Sequence, residues 1–335
     1  MQNQVTQIQE STQENAVVDF VVCSRNNRKI IGSTLKALAA QTLRPFTCTL
    51  VDGCSSDGTP EFVRESFPWV DVIVKPEDNG PAASRNIGSF RGRAPYIVFV
   101  DSDVRLEPEW TAKQLEFLEE DPKLGAAAGQ LLYADQPEIL NSAYGTLTRF
   151  TVAANVGDGS PASEFSHPVR CLWVLSAAFI VRRDVFESSG GFDQAMFMAH
   201  EDSDLGWRFN LMGHGVAYNP RATALHEAHS SVNENTQRSG HMTYLLYRNR
   251  LRSALINYEA VNLVRYVSSY LFFCVVDLVI RPHRWPKLRG SMWNLTNIGE
   301  VWKRRREVQQ KRRVSDSSLW PLFAAGVRGP GRTHY

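Results

Sequence analysis

The sequence predicts an α/β fold, a mostly parallel sheet with helices on both faces, followed by a helical C-terminal extension. Three observations carry this. Short runs rich in Val, Ile and Phe alternate with stretches of helical period through the first hundred residues. Those runs are almost continuously apolar, as strands buried on both faces are. Polar residues, Asp above all, stand where the runs end, which is where a doubly wound sheet places its ligands.

Each element can be read in order. VVDFVVCS (17–24) is a buried strand ended by Arg25-Asn26-Asn27. Ile31, Leu35 and Leu38 then recur at helical spacing. FTCTLVD (46–52), VDVIVK (70–75) and YIVFVD (96–101) are three more strands. The helix after the second is expected to open on Ser56-Asp57 as its N-cap, and another follows Asn79-Gly80-Pro81. Glu107 to Asp121 reads as a helix and LGAAAGQLLY (124–133) as a strand. A loop-rich stretch (155–168) precedes the apolar run CLWVLSAAFIV (171–181). Helical patterning returns at Asp202–Met212 and dominates after Gly240. The expected organisation is a disordered polar leader over 1–16, an α/β domain over 17–255 and a helical, basic extension over 256–335.

Composition excludes several classes. With 43% hydrophobic and 21% charged residues, bulk disorder is excluded, and no repeat points to a solenoid. Five cysteines without a CxxC pair argue against a disulfide framework and a Cys-based zinc site, which fits a reducing cytoplasm. The leader has no apolar run and does not read as a signal peptide. The apolar stretch 267–280 is broken by Ser268, Ser269 and Asp277, so it reads as a buried or interfacial helix rather than a span. Charge is uneven: residues 281–335 hold 13 Lys/Arg against 3 Asp/Glu, while the whole chain has 37 against 35. A basic tail on an acidic body suits an anionic surface, which nucleic acid or a phospholipid leaflet fits equally well. The competing reading is a solvated tail.

The chemistry clusters at strand ends. Ser24 to Asn27 follow the first strand, Asp52 ends the second, and Asp101 and Asp103 close the fourth. Two carboxylates so close are costly without a cation, and hard oxygen ligands suit Mg²⁺ or Mn²⁺ with substrate phosphates completing the shell. Taken alone, the same Asp-x-Asp is a weak metal signal and reads more readily as a helix cap with an Asx turn.

The combination is more specific. VVCSRNN, VDGCSSDGT, NGPAASRNIG, YIVFVDSDV and GGFDQAMFMAHEDSDLGWR, in that order, resemble the family 2 inverting glycosyltransferases of GT-A fold, over about residues 17 to 230. The resemblance implies that Ser24 and Asn26 line the nucleoside pocket, where Arg25 replaces a frequent aromatic. It implies that Asp52 bonds the pyrimidine base, favouring uracil or thymine, and that Arg85 and Asn86 lie near the diphosphate. Asp101 would approach the ribose and Asp103 would bind the metal, Mn²⁺ or Mg²⁺. Asp202 in HEDSDL (200–205) would be the general base, with Glu201 as its neighbour and Asp204 capping a helix. His226 would help hold metal and diphosphate, with His229 close enough in sequence to compete for that role.

The implied activity moves a hexose or deoxyhexose from a UDP- or dTDP-sugar to a hydroxyl of a glycan or lipid-linked acceptor. The implied partners are donor, acceptor and an anionic membrane touched peripherally at its inner face; nucleic acid is not among them. Rival readings are a haloacid-dehalogenase-type phosphatase with Asp101 as nucleophile, a nucleotide-sugar pyrophosphorylase and a non-catalytic scaffold. Three strands before the Asp-x-Asp, the lack of a Gly-rich basic opening, and retention of Asp52, Asp101, Asp103 and Asp202 together oppose them in turn. The anchor expected for the membrane is Trp302 to Arg313, with seven cations and one Glu, assisted by 267–280, Trp285 and Trp293.

Overall fold

The computed structural model describes residues 15–227, 240–280 and 284–325. Most of the expected leader, His229 and the end of the tail lie outside these residues. Four parallel strands run in the order β3-β2-β1-β4: β1 (Val18–Ser24), β2 (Phe46–Asp52), β3 (Asp71–Val74) and β4 (Tyr96–Asp101). Helices α1 (Ile31–Ala39), α2 (Thr59–Ser66) and α3 (Gly80–Ser89) connect them. Val18, Phe20 and Val22 meet Ile31, Leu35 and Leu38 in one core. Val21 points the other way and joins Ile97, Phe99, Phe179 and Phe192 in a second. Alternate residues of β1 therefore fill cores on both faces, which is why the run has no polar member facing out.

The sheet continues through β5 (Val104–Leu106), α4 (Trp110–Glu120), β6 (Leu124–Tyr133), β7 (Gln136–Ser142), β10 (Val169–Cys171), β11 (Ala178–Arg182) and β12 (Gly215–His226). A separate hairpin joins β8 (Tyr144–Leu147) to β9 (Ala153–Val156). β11 inserts antiparallel between β4 and β6, and β12 runs parallel to β6. The α/β class read from the sequence therefore stands, with a mostly parallel centre. α5 (Arg183–Ser189) and α6 (Glu201–Leu211) pack on this half.

One cap differs from expectation. Gly58, with φ of 78°, occupies the N-cap of α2, a left-handed position that a residue without Cβ adopts freely. Asp57 sits before it and accepts from the Thr59 N–H and hydroxyl and from the Arg28 N–H.

The remaining helices are α7 (Gly240–Asn257), α8 (Ala260–Ile280), α9 (Arg284–Thr296), α10 (Ile298–Lys311) and α11 (Asp316–Leu319). The boundary expected after residue 255 falls inside α7. A single hydrophobic cluster unites Trp173, Trp207 and Leu211 with Tyr258, Tyr266, Val301, Val308 and Phe323. α10 is tied to the body by its own cations. Arg305 donates to the Leu255 and Tyr258 carbonyls at 2.7 Å each, and Arg312 to that of Asn257. They cap the carbonyl end of α7, where cations are favoured. Arg304 reaches the Gly190 carbonyl at 3.2 Å. No helix of the described residues is long and apolar enough to cross a membrane.

Candidate active site

A cleft of ≈ 810 Å³ opens at the carboxyl ends of β1 and β4. Ser24, Asn26, Arg85, Asp101, Asp103, Asp202 and His226 all line it. Asp52 and Asn86, also expected there, do not.

The loops after β1 and β2 are held by bonds within and between them. Asp52 is fully buried, and its carboxylate accepts from the Ser55 N–H at 2.7 Å and the Ser55 hydroxyl at 2.5 Å. Ser55 Oγ in turn accepts from the Asn26 N–H at 2.8 Å, and Asn26 Oδ1 from the Ser56 N–H at 2.9 Å. Asn26 has φ of 53°, a conformation Asn tolerates. Asp52 thus fixes the β2 turn behind the cleft, each of its carboxylate oxygens accepting one bond from Ser55. Asn86 is also engaged away from the cleft lining. Its amide donates to the Phe192 carbonyl and accepts from the Phe192 N–H, both at 2.9 Å, so it pins the loop before the acidic helix. Ser24 keeps a buried hydroxyl with no protein partner at the cleft wall. A buried hydroxyl without a partner is costly, and a ligand would relieve it.

Arg85 is buried between two acids, donating to Asp101 Oδ1 at 2.8 Å and Glu201 Oε1 at 3.1 Å. Burial, the largest single influence, would lower its basicity, but the contributions of Asp101, Cys23 and Glu201 together outweigh it and hold the guanidinium charged. The planar fork therefore bridges β4 to α6. It lines the cleft while donating to both carboxylates.

The acids at the start of α6 outnumber that cation. Burial pushes the Glu201 carboxyl up despite Arg85. Burial and the Glu201 charge push Asp202 up to about 7. Asp202 Oδ1 accepts from the Ser203 N–H at 2.7 Å, and the Ser176 N–H also bonds the carboxylate. A carboxylate with such a pKa is poised to take a proton near neutral pH. Asp204, expected as a cap, points into the protein. It pairs with Arg208 at 2.8 Å and accepts from Asn257 at 2.7 Å and Ser253 at 3.2 Å. His200 is held neutral by burial, its pKa lowered to about 3, with Nδ1 2.9 Å from the Ser203 hydroxyl.

The Asp-x-Asp carboxylates diverge. Asp101 turns to Arg85, while Asp103 Oδ1 lies 3.5 Å from His226 Nε2. The antiparallel pairing of β5 and β12, with Val104 opposite His226, brings these two side chains together. His226 Nδ1 lies 2.8 Å from Asn141 Oδ1, a contact that orients the ring and leaves Nε2 toward Asp103. Among the described residues no three His, Cys, Asp or Glu side chains converge on one point. An oxygen and an imidazole nitrogen from the protein nevertheless fit Mn²⁺ or Mg²⁺, provided phosphates and water supply the rest.

Several cleft residues escape sequence reading. Asn141, Asn155, Asp158 and Ser176 come from β7, β9 and loops without motif. The loop 196–200 carries positive φ at Phe197, Ala199 and His200, three positions where a Cβ is strained. Asn249 of α7 holds it, its amide donating to the Met196, Met198 and Ala199 carbonyls at 2.7–2.9 Å. The only signal for Asn249 is a polar residue within an otherwise helical run, which reads as a solvated face.

The sheet order and the acid-lined cleft at its strand ends are those of a GT-A fold. A glycosyl transferase family 2 model matches residues 19–163, and a glycosyl transferase family group 2 model matches residues 96–298. The chain belongs to the family 2 glycosyltransferases. It is 29% identical over 221 residues to an N-acetylglucosaminyl-diphospho-decaprenol L-rhamnosyltransferase of Mycobacterium tuberculosis, covering 59% of this chain and 72% of that protein. An O-antigen biosynthesis protein, RfbC, of Myxococcus xanthus is 28% identical over 64% of this chain and 17% of its own length. Among solved structures, GalNAc-T7 with UDP, GalNAc and Mn²⁺ superposes with a TM-score of 0.60 at 14% identity, covering 87% of this chain and 58% of that one. S. aureus TarS 1-349 gives 0.54 at 14% identity, covering 88% and 87%. These likenesses carry the fold.

Proposed function

We propose that the cleft catalyses metal-dependent, inverting transfer of a hexose or deoxyhexose from a UDP- or dTDP-sugar. The acceptor is a hydroxyl of a saccharide or lipid-linked glycan in polysaccharide or glycolipid assembly. The observation that carries the reading is the half-buried Asp202 carboxylate facing the same cleft as Asp101, Asp103 and His226. The acceptor oxygen attacks the anomeric carbon opposite the diphosphate. The new C–O bond forms as the bond to the diphosphate oxygen breaks, and the hydroxyl proton passes to Asp202. General base catalysis of this kind contributes typically about 10²–10⁴-fold. Asp103 and His226 would hold Mn²⁺ or Mg²⁺, which when bound supplies positive charge toward the leaving diphosphate. Arg85 holds Asp101 in place through their ion pair, and Ser24 offers its hydroxyl to the donor. The names of the rhamnosyltransferase and of the UDP- and Mn²⁺-bound neighbour support the acceptor, donor and metal classes.

The test separates two carboxylates. In calorimetry with UDP or dTDP plus Mn²⁺, Asp103→Asn should lose metal-dependent binding. Asp202→Asn should keep it and lose turnover. Equal loss of binding in both variants overturns the roles, and a product with the donor's anomeric configuration overturns the mechanism. A nucleotide-sugar hydrolysis screen identifies the donor.

A further inference from the structure

We infer that the outward face of α9, continued at the start of α10, docks the chain on an anionic lipid bilayer. α9 lies along α7 with Gly290 at the contact. A Cβ built on Gly290 would stand 2.5 Å from the Tyr244 carbonyl oxygen. Lys287, Gly290 and Asn294 form the buried stripe, and Asn294 donates to the Arg248 carbonyl at 2.9 Å. The opposite stripe carries Trp285, Met292 and Leu295, at 74%, 49% and 67% exposure. Ile298 and Trp302 extend it onto α10. The spacing places these residues on one side of each helix.

The charge around this face has one sign. α9 contains no acidic residue. Arg284, Arg289, Lys303 and Arg306 are exposed beside the apolar residues. The acids of α10 are half-exposed but each is paired with a cation, Glu300 with Arg252 and Glu307 with Arg304 of the same helix. Protein interfaces are depleted of lysine and of charge at their centres, whereas tryptophan with flanking cations suits the boundary of an anionic leaflet. This differs from the anchor expected from sequence, since Arg304, Arg305 and Arg312 are tied to backbone carbonyls. The face also adjoins the cleft. Pro286 packs 3.1 Å from a Cβ built on Gly240 at the start of α7, and Met242, two residues on, lines the cleft. Delivery of a lipid-linked acceptor rests on the function proposed above; lipid binding itself does not.

Sedimentation of the full chain with phosphatidylglycerol-containing vesicles and with phosphatidylcholine vesicles tests this without turnover. The parent chain should pellet with the anionic vesicles and be released by high salt. Trp285→Ser with Leu295→Ser, and separately Arg289→Glu with Lys303→Glu, should each weaken binding at least about tenfold at unchanged melting temperature. Failure of the parent to pellet, or variants that pellet like the parent, overturns the inference. A dimer in light scattering that Trp285→Ser with Leu295→Ser breaks also overturns it, by assigning the face to a second copy.

Discussion

The two walls of the cleft are built in opposite ways. On the proposed donor wall each turn makes bonds short in sequence: Asp52 to Ser55 spans three residues and Asp57 to Thr59 two. The two loops then join through Asn26 and Arg28 across 29–30 residues. On the catalytic wall the bonds are longer: Arg85 to Glu201 spans 116 residues and Asn249 to Ala199 spans 50. A turn that supplies its own acceptors keeps its shape wherever the strand delivers it. A strained loop with three left-handed residues keeps its shape only while distant helices hold it. Substitutions on the donor wall should therefore change affinity, and those on the catalytic wall should change stability and turnover together.

The largest expected effect is on the long-range side. Arg85→Met leaves Asp101 and Glu201 facing each other without their cation, and breaking a buried pair typically costs about 3–5 kcal/mol. Denaturant unfolding should show a loss of that order, with turnover abolished. A change below about 1 kcal/mol would mean that the Arg85 bridge does not organise the wall.

Asn249→Ala comes next. It removes the donor shared by three loop carbonyls, so about 1–3 kcal/mol of stability should go. Turnover should fall more than donor affinity, because the loop leads into Asp202 and not to the nucleotide. Calorimetry beside steady-state kinetics checks the split, and an equal fall in both would erase the contrast between the walls.

The pH dependence is third. Asp202 is pushed up to about 7 by burial and by Glu201, whereas an unfolded Asp titrates near about 3.9. The folded state thus keeps a proton that the unfolded chain has released. The stability from this group is complete below about 3.9 and is lost as pH rises through about 7. Asp202→Asn should accordingly melt above the parent near about pH 8, with the gap closing near about pH 4. Turnover of the parent should rise through about 7 as the base becomes available. A variant that melts below the parent near about pH 8 would contradict the assigned environment.

Ser24→Ala should be the smallest. The hydroxyl has no protein partner, so melting should hardly move, while donor binding weakens by a factor of several. Unchanged affinity would remove Ser24 from the donor wall.

Much of the fold was legible from local pattern alone. The four parallel strands, their covering helices, the Asp-x-Asp turn and the acidic start of α6 all follow from apolar runs punctuated by acids. These signals are local because a strand buried on both faces must be apolar throughout and must end in polar residues. Which way each acid points was not legible. Asp52 and Asn86 stand in motifs that the family resemblance places at the donor, yet each spends its polar atoms on neighbouring backbone or hydroxyl groups. Asp204, two residues from Asp202, is buried against Arg208 and Asn257 and not free to cap. The basic run of α10 reads as a solvated or lipid-facing strip, but three of its cations close carbonyl ends elsewhere. Residues close in sequence share a pattern, whereas a hydrogen-bond partner is chosen by which distant backbone arrives within 3 Å, roughly. Only the packing of α7 on α6, and of α9 and α10 on α7, settles that, and with it which side chains are left to face the cleft.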